Sequence, residues 1–459
     1  MVPTHNPRVH LSINPFDGSV IAEHPLELRQ QVNAKLDRSD KAFALFRSLE
    51  QATRSELLSK VATILSQDKD RLAHTITAET GKLLKDSLAE VEKCANCATF
   101  YAQHLADWLH PMENDQDTYG AKSTYYPTGT VLGIMPFNYP FWQVFRSAIP
   151  VLAGGNTYLL KHAPSTQLCA KAIEQVFMDA GFPDGSFINL NIDIDQLEDV
   201  IAHSVIRGVT LTGSTKAGRG VAALAGKYLK PTVLELGGSD AFIVLEDADL
   251  EVAIDGAVQG RMVNNGQSCI ASKRFIVVEP LYDAFLEGIK QELAHYQFGN
   301  PLVAATTQGP MARIDLATQL ADQVQQALDS GATYWGEPYK PTDGAWYHPG
   351  ILTNVAANNP VYYQELFGPV AMVFCVKNAD EAIKLANDSP YGLGACIWTE
   401  SLVAFHQLAS KLDVGMVFHN QIMVSQYSIP FGGTKESGYG RELTEHGLYA
   451  FMNLKATRY

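Results

Sequence analysis

The 459-residue chain lacks long apolar runs, an excess of positive charge and many cysteines. No apolar stretch approaches the roughly 18 residues that a membrane span needs, and Met1–Pro7 lack the basic and apolar segments of a secretory signal. Lys and Arg number 35 against 49 Asp and Glu, a net charge of −14 that repels phosphate backbones and anionic lipid. Six cysteines in a chain of this length do not form a disulfide framework. We therefore expect a cytoplasmic protein that binds neither nucleic acid nor membrane.

Familiar nucleotide and metal motifs are also missing. No Gly-x-Gly-x-x-Gly follows a strand, and the Gly213–Gly218 segment is followed by Arg219, so it is not the lysine-bearing loop of nucleotide triphosphatases. The turn Gly213-Ser214 either holds a pyrophosphate on helix N–H groups or is a plain connection. Cys94 and Cys97 lie on or beside an apolar helical stripe without a second pair, which predicts core packing and no metal site.

The apolar pattern predicts an α/β fold. Residues 27–108 have helical spacing, and from Thr128 short apolar runs alternate with helix-like segments, as in an open, mainly parallel sheet. A second alternating region over residues 241–419 predicts a second α/β domain. Ligands bind at the carboxyl ends of such strands. Residues 448–459 predict a strand without a partner in its own chain, which would pair across subunits.

Three residues at predicted strand ends or turns are candidates for chemistry. Cys269, among small and polar residues, is either an exposed nucleophile or a packed thiol. Glu235 ends an apolar strand, where its carboxyl is either desolvated and suited to general-base work or paired with a basic residue. Asn138, in a proline-flanked turn, donates either to a developing oxyanion or to the backbone. The residues alone leave all three alternatives open.

Seven motifs in order resemble those of the NAD(P)-dependent aldehyde dehydrogenase superfamily. They are Pro136-Phe137-Asn138-Tyr139-Pro140, Leu160-Lys161, Thr212-Gly213-Ser214, Leu234-Glu235-Leu236-Gly237-Gly238, Gly266-Gln267-Ser268-Cys269, Glu365-Leu366-Phe367-Gly368-Pro369 and Pro430-Phe431-Gly432-Gly433-Thr434-Lys435-Glu436-Ser437-Gly438. The resemblance runs from about Asn14 to the C-terminus. Longer strings at residues 142–144, 159–164 and 234–240 resemble the bacterial succinate-semialdehyde dehydrogenases of the shorter, Sad-type branch.

This resemblance implies a domain arrangement. We expect an aldehyde dehydrogenase-like α/β fold with a Rossmann-type cofactor domain in residues 1–110 and 128–236 and an α/β catalytic domain in residues 237–441. Residues 111–127 and 442–459 would form a small β oligomerisation arm. We expect the subunits to assemble as a homodimer or homotetramer.

The resemblance also implies roles for the three candidates. Cys269 would add to the aldehyde carbonyl, and the oxyanion would be held by the Asn138 side chain and the Cys269 N–H. Loss of hydride to the nicotinamide then leaves a thioester, and Glu235 would activate the water that releases the acid. A covalent intermediate of this kind divides one difficult step into two easier ones.

Cofactor residues follow from the same motifs. Lys161 and Glu365 match ribose-binding positions, and the other expected cofactor contacts are Phe137, Asn138, Pro164, Gly213, Ser214, Leu236 and Phe367. NAD-selective members commonly carry a glutamate where this chain has Pro164. No carboxylate repels a 2′-phosphate there, so NAD and NADP both remain open.

The resemblance places Arg146 where succinate-semialdehyde members bind the distal carboxylate of the substrate. An arginine fork suits a carboxylate, although a structural salt bridge is the alternative. Ser425 is a second substrate-binding candidate, and His419 is a weaker one. The predicted reaction is oxidation of succinate semialdehyde to succinate.

Three other functions remain alternatives. The first is oxidation of glutarate semialdehyde or another short aldehyde. A CoA-acylating enzyme is the second, and Glu235 argues against it because CoA-acylating relatives tend to lack that glutamate. A catalytically silent relative is the third, and the joint presence of Cys269, Asn138, Lys161 and Glu235 argues against it.

Overall fold

The computed structural model describes residues 8–114, 120–340, 342 and 344–459. The start of the predicted cofactor domain (residues 1–7) and part of the predicted arm (residues 115–119) lie outside the described residues. Within the described ranges, no helix has the length and apolar character that crossing a membrane requires.

The chain begins with a hairpin and four helices. Strands β1 (Val9–Ile13) and β2 (Val20–Pro25) pair antiparallel, and helices α1 (Arg29–Phe46), α2 (Gln51–Gln67), α3 (Lys69–Thr80) and α4 (Leu84–Trp108) follow. The predicted helical character of residues 27–108 is confirmed. On α4 the buried face follows the apolar stripe of the sequence, and Cys94 and Cys97 are fully buried in the core. Their burial supports the packing interpretation.

A six-stranded sheet forms the first α/β layer. Its order is β19-β9-β8-β5-β6-β7, with all neighbours parallel except the β19–β9 pair. The strands are β5 (Thr130–Ile134), β6 (Thr157–Lys161), β7 (Phe187–Asn189), β8 (Ile206–Thr212), β9 (Thr232–Glu235) and β19 (Gly438–Tyr439). The helices between them are α5 (Trp142–Ala153), α6 (Gln167–Asp179), α7 (Leu197–Ala202) and α8 (Thr215–Lys227).

A seven-stranded sheet forms the second layer, in the order β12-β13-β14-β11-β10-β16-β17, with only β12 antiparallel. Its strands are β10 (Ala241–Val244), β11 (Arg274–Val278), β12 (Thr333–Gly336), β13 (Gly350–Thr353), β14 (Val370–Val376), β16 (Gly394–Trp398) and β17 (Met416–His419). The helices are α9 (Leu250–Met262), α10 (Glu279–Ala294), α11 (Ile314–Asp329), α12 (Ala379–Asn387) and α13 (Leu402–Ala409). Strands β15 (Tyr391–Gly392) and β18 (Thr434–Lys435) form a separate short pair. Both predicted α/β regions are therefore present.

The last strand corrects a prediction from the sequence. Strand β20 (Met452–Arg458), after the short helix α14 (Thr444–Tyr449), pairs antiparallel with β4 (Ala121–Pro127) of its own chain. Strand β3 (Met112–Asn114) completes this small sheet on the other side of β4. The expectation that the strand had no partner in its own chain is wrong, because a partner so far upstream leaves no trace in the local pattern.

A short strand near the end of the predicted catalytic segment joins the six-stranded sheet. Strand β19, from the segment assigned to the catalytic domain, adds an antiparallel edge to the first sheet, with Gly438 opposite Glu235. The carboxyl ends of β5, β8 and β9 meet at one edge of that sheet, with Ile134 beside Leu211 and Thr212 beside Glu235. This edge positions the candidate site.

Candidate active site

A cavity of about 470 Å³ opens at the carboxyl edge of the six-stranded sheet. Its lining includes eight residues expected from the sequence: Phe137, Asn138, Gly213, Ser214, Leu236, Cys269, Glu365 and Phe367. Five other expected residues are not part of this lining: Lys161, Pro164, Glu235, Arg146 and Ser425. A larger, more open groove of about 980 Å³ beside β14 and α12 contains none of them. Because the smaller cavity is the one lined by candidate residues, we take it as the candidate active site.

A tightly turned loop presents Cys269 to this cavity. Asn264, Asn265 and Gly266 have φ values of 50°, 54° and 72°, a left-handed run that asparagine and glycine tolerate better than other residues. The Asn264 side chain donates to the carbonyl of Asn138 at 2.8 Å, and Arg261 donates to the carbonyl of Gly266 at 2.7 Å. Unlike the fully buried Cys94 and Cys97, Cys269 retains some exposure.

Lys273 also holds this loop, a contact that the sequence did not predict. The side chain is fully buried, and Nζ donates to the carbonyls of Ser268 at 2.9 Å and Cys269 at 2.8 Å. Nζ also lies 3.5 Å from Oε1 of Glu365. One ammonium thus connects the nucleophile loop with an expected cofactor contact. The only signal in the sequence is a lysine just before an apolar strand.

Gly237 and Gly238 let Glu365 and the nucleophile loop lie close to the backbone that follows Glu235. A Cβ at Gly238 would lie 2.7 Å from the carbonyl oxygen of Cys269, and one at Gly237 would lie 2.5 Å from Oε2 of Glu365. The backbone carbonyl leaves no room for a side chain at Gly238, whereas at Gly237 the Glu365 side chain would have to move.

Burial raises the pKa of the Cys269 thiol to about 12, and the positive charges of Arg146 and Lys273 oppose this rise. At neutral pH the thiol is therefore protonated. Since the thiolate is the nucleophile, reaction requires that the thiol proton leave as sulfur attacks.

Asn138 is held by contacts on both sides of its amide. Nδ2 donates to the carbonyl of Gln267 at 2.9 Å, and Oδ1 accepts from Nε2 of Gln143 at 3.4 Å. The contact with the Gln267 carbonyl is the backbone alternative that the sequence left open for Asn138. Because an amide nitrogen carries two hydrogens, the second remains available for an oxyanion, so the two alternatives are compatible.

Glu235 matches the desolvated alternative rather than the paired one. It is 2% exposed, and neither carboxyl oxygen has a hydrogen-bond partner within the described ranges. Burial, followed by the neighbouring Glu442, raises its pKa well above the usual range, and Arg146 and Arg441 oppose the rise. Burial therefore favours the neutral form of Glu235, which directly precedes Leu236 in the cavity lining.

Arg146 has an intramolecular partner. Its guanidinium is 1% exposed and forms an ion pair with Glu442. It donates to Gln143 at 3.0 Å and to Thr212 at 3.2 Å, and it lies 4.1 Å from the centroid of the Phe431 ring. This geometry favours the salt-bridge alternative over substrate binding. The sequence assigned Glu442 to the oligomerisation arm, so its ion pair with Arg146 was not predicted.

Arg146→Ala should therefore destabilise the protein, because it leaves Glu442 buried and unpaired. Removing one partner of a buried pair typically costs about 3–5 kcal/mol. Thermal or denaturant unfolding measures the loss, and the exposed pair Arg219–Glu436 provides the matched control. Arg219→Ala should change stability by less than about 1 kcal/mol. An Arg146→Ala protein of unchanged stability that loses activity only on carboxylate-bearing aldehydes would contradict the salt-bridge role.

The expected cofactor contacts fit a dinucleotide at this edge. Ser214 caps α8 by accepting the N–H of Ala217 at 3.2 Å, so the N-terminus of α8 meets the cavity and suits a pyrophosphate. Glu365 lies at the opposite wall, where its carboxylate can accept from a ribose hydroxyl.

Lys161 and Pro164 lie farther along the sheet. Lys161 ends β6 and is 7% exposed, and burial lowers its pKa. Beside Pro164, the Ser165 hydroxyl is buried and has no hydrogen-bond partner in the part of the chain that the structure describes. An unpaired hydroxyl near a lysine can donate to a ribose or a phosphate.

The two remaining pocket candidates differ in their placement. Ser425 is buried, and its hydroxyl oxygen accepts the indole N–H of Trp142 at 3.0 Å. His419 lies on β17, where its Nε2 contacts the carbonyl of Thr399 at 2.9 Å and its ring packs on Phe405. His419 is therefore engaged outside the cavity.

The chain is similar to known proteins over nearly its whole length. The model of the Aldehyde dehydrogenase family matches residues 2–457. A succinate-semialdehyde dehydrogenase (NADP+) of Deinococcus radiodurans is 40% identical over 98% of this chain and 95% of that relative. The succinate semialdehyde dehydrogenase Sad (NAD(P)+) of Escherichia coli K12 is 41% identical over 98% of both chains. The crystal structure of succinic semialdehyde dehydrogenase from Streptococcus pyogenes in complex with NADP+ superposes with a TM-score of 0.96 at 36% identity, covering 98% of this chain and 99% of that one.

Proposed function

Because the chain belongs to the aldehyde dehydrogenase family, we propose that it oxidises succinate semialdehyde to succinate with NAD+ or NADP+. The observation that carries this proposal is the cavity in which Cys269 and Asn138 lie together with most of the expected cofactor contacts. The activities named for the similar proteins support the choice of substrate.

In the proposed mechanism the Cys269 sulfur bonds to the aldehyde carbon while the thiol proton passes to solvent water, which gives the oxyanion of a hemithioacetal. The free hydrogen of the Asn138 amide and the Cys269 N–H stabilise the oxyanion, and one such donor is typically worth about 3–4 kcal/mol. Loss of hydride from the substrate carbon leaves a thioester on Cys269, and a dinucleotide held by Gly213, Ser214 and Glu365 would supply the hydride acceptor.

Glu235 then assists hydrolysis of that thioester. Its side chain must lose its proton and turn past Leu236 toward the cavity. As general base it takes a proton from water, and the hydroxyl displaces the Cys269 sulfur to give the carboxylate product and a free thiol.

Residues at and just after the end of β6 bear on the choice between NAD+ and NADP+. Pro164 carries no charge, so a 2′-phosphate meets no carboxylate at that position. Lys161 and the unpaired Ser165 hydroxyl add a cation and a donor. The similar proteins of Deinococcus radiodurans and Streptococcus pyogenes are named with NADP+, and that of Escherichia coli with NAD(P)+. We therefore propose that both cofactors are used.

A steady-state panel tests the function. Succinate semialdehyde, glutarate semialdehyde and butanal are each assayed with NAD+ and NADP+, with and without CoA, by absorbance of the reduced cofactor. We expect the highest kcat/KM for succinate semialdehyde and no acceleration by CoA. Acyl-CoA as the product would support the CoA-acylating alternative, and an absence of turnover on every aldehyde would support the silent one.

We propose in addition that the protein is a cytoplasmic homodimer or homotetramer. Strand β20 supports this assembly, because it forms an edge of the small sheet and most of its residues are exposed. Light scattering of the full chain measures the mass, and a monomer at micromolar concentration would contradict the assembly.

A further inference from the structure

The proposed mechanism leaves Lys273 without a role, although this lysine lies next to the nucleophile. Lys273 directly precedes β11, and its side chain is fully buried. It does not line the cavity, whereas Cys269 does. The ammonium therefore contacts the loop that carries the nucleophile without reaching the cavity itself.

Three backbone carbonyls of this loop converge on the ammonium. Nζ of Lys273 lies 2.9 Å from the carbonyl oxygen of Ser268, 2.8 Å from that of Cys269 and 3.2 Å from that of Ala271. An ammonium carries three hydrogens, so these three carbonyls can accept all of them. Because the three carbonyls turn toward one cation, the orientations of their peptide units are fixed together.

The carbonyl of Ser268 belongs to the same peptide unit as the N–H of Cys269. This unit is planar and trans, so its C=O and its N–H point in opposite directions. Since Lys273 holds the carbonyl, the Cys269 N–H points away from the buried ammonium. In the proposed mechanism this N–H is one of the two donors that stabilise the oxyanion.

Two carboxylates accompany the ammonium. Nζ of Lys273 lies 3.5 Å from Oε1 of Glu365, and the same oxygen accepts the N–H of Gly238 at 3.2 Å. Burial lowers the pKa of Lys273, and the carboxylates of Glu365 and Asp240 oppose that fall. A buried cation is retained where anions and hydrogen-bond acceptors compensate it, so the ammonium has a defined position against the loop.

We infer that Lys273 is a positioning residue that directs the Cys269 N–H toward the oxyanion formed on the substrate. The inference rests on the proposed function, because that mechanism is what places an oxyanion beside Cys269. Lys273 acts through the Ser268–Cys269 peptide and not by contact with the substrate. Addition to the aldehyde and hydrolysis of the thioester both pass through an oxyanion, so both steps depend on the direction of this N–H.

The first test compares the oxidation of succinate semialdehyde by wild type and Lys273→Met. Without the ammonium the Ser268–Cys269 peptide can rotate, and one oxyanion donor is lost. Loss of one such donor typically lowers kcat by about 10²–10³-fold, and we expect a fall of about 10²-fold. KM for the aldehyde should change by less than about threefold, because the donor acts on the oxyanion and not on the bound aldehyde.

Lys273→Arg separates the direction of the N–H from the effect of charge. The positive charge of Lys273 opposes the rise in the pKa of the Cys269 thiol, and arginine retains that charge beside Glu365. A planar guanidinium, however, cannot present the donors that three carbonyls meet around one ammonium. We therefore expect kcat of Lys273→Arg to fall by at least about tenfold, although a buried cation is kept and the fold with it.

Alkylation by iodoacetamide provides a second readout on the same sulfur. The sulfur displaces iodide from carbon in this reaction, so no oxyanion forms. In the protein without cofactor, mass spectrometry of the Cys269 peptide separates this site from the exposed Cys375. The alkylation rate of Cys269 in Lys273→Arg should stay within about threefold of wild type.

Lys230→Met is the matched control. Nζ of Lys230 also donates to backbone carbonyls, those of His203 at 3.2 Å and Ile206 at 2.6 Å. Ile206 begins β8, so these contacts lie at the opposite end of that strand from the cavity. Removal of Lys230 should leave both kcat and the alkylation rate unchanged.

Several outcomes would contradict this account. A wild-type kcat in Lys273→Met would overturn the inference, and a wild-type kcat in Lys273→Arg would show that charge alone suffices. Equal falls in turnover and alkylation in Lys273→Arg would indicate a displaced thiol rather than a misdirected N–H. A wild-type protein that is inactive on succinate semialdehyde would instead refute the proposed function, before any variant is compared.

Discussion

Cys269→Ala should abolish dehydrogenase turnover, with kcat falling by at least about 10⁴-fold. Alanine has no sulfur to add to the carbonyl, so neither the hemithioacetal nor the thioester forms. Cofactor binding should persist, because Lys273 contacts the backbone of this loop rather than the thiol. Absorbance of the reduced cofactor measures turnover, and quenching of tryptophan fluorescence measures cofactor binding.

Cys375→Ala is the matched control for this prediction. Cys375 is an exposed cysteine on β14, in the more open groove away from the site, so its removal should leave the rate unchanged. Turnover that persists in Cys269→Ala would exclude the cysteine mechanism. A variant that loses both turnover and cofactor binding would indicate a disrupted loop rather than a missing nucleophile.

The positions of Asn138, Gly213 and Leu236 could be predicted from the sequence because each follows an apolar strand. Carboxyl ends of neighbouring parallel strands meet at one edge, so motifs far apart in the chain converge without further information. The resemblance favoured the nucleophile over the packed thiol for Cys269, and it added Glu365. The structure brings these residues to one cavity.

Lys273, Gln143 and Glu442 could not be found in this way. Each acts through a partner whose position depends on tertiary packing: backbone carbonyls for Lys273, the Asn138 amide for Gln143 and the Arg146 guanidinium for Glu442. A local pattern shows the type of a residue but not the charge that faces it. For the same reason the sequence left both roles of Arg146 open, and the pairing of β20 with β4 was missed.

Glu235→Gln should allow one rapid turnover of cofactor reduction and then stall. Steps up to the thioester do not need the carboxylate, whereas hydrolysis needs a base to activate water. Loss of a general base typically lowers a rate by about 10²–10⁴-fold. Glutamine is close in shape to the neutral acid that burial favours at this position, so folding should be retained. Rapid-mixing absorbance should show a burst equal to the enzyme concentration, followed by a slow steady state.

The pH dependence distinguishes this role from a structural one. Because the folded-state pKa of Glu235 is raised, the carboxylate form of Glu235 increases as pH rises toward that pKa. Wild-type hydrolysis should therefore accelerate with increasing pH, and the steady state of Glu235→Gln should lose that dependence. The pKa of Cys269 is raised too, so the burst rate should increase with pH in both proteins. A normal steady-state rate in Glu235→Gln, or an unchanged pH profile after the burst, would exclude Glu235 as the base.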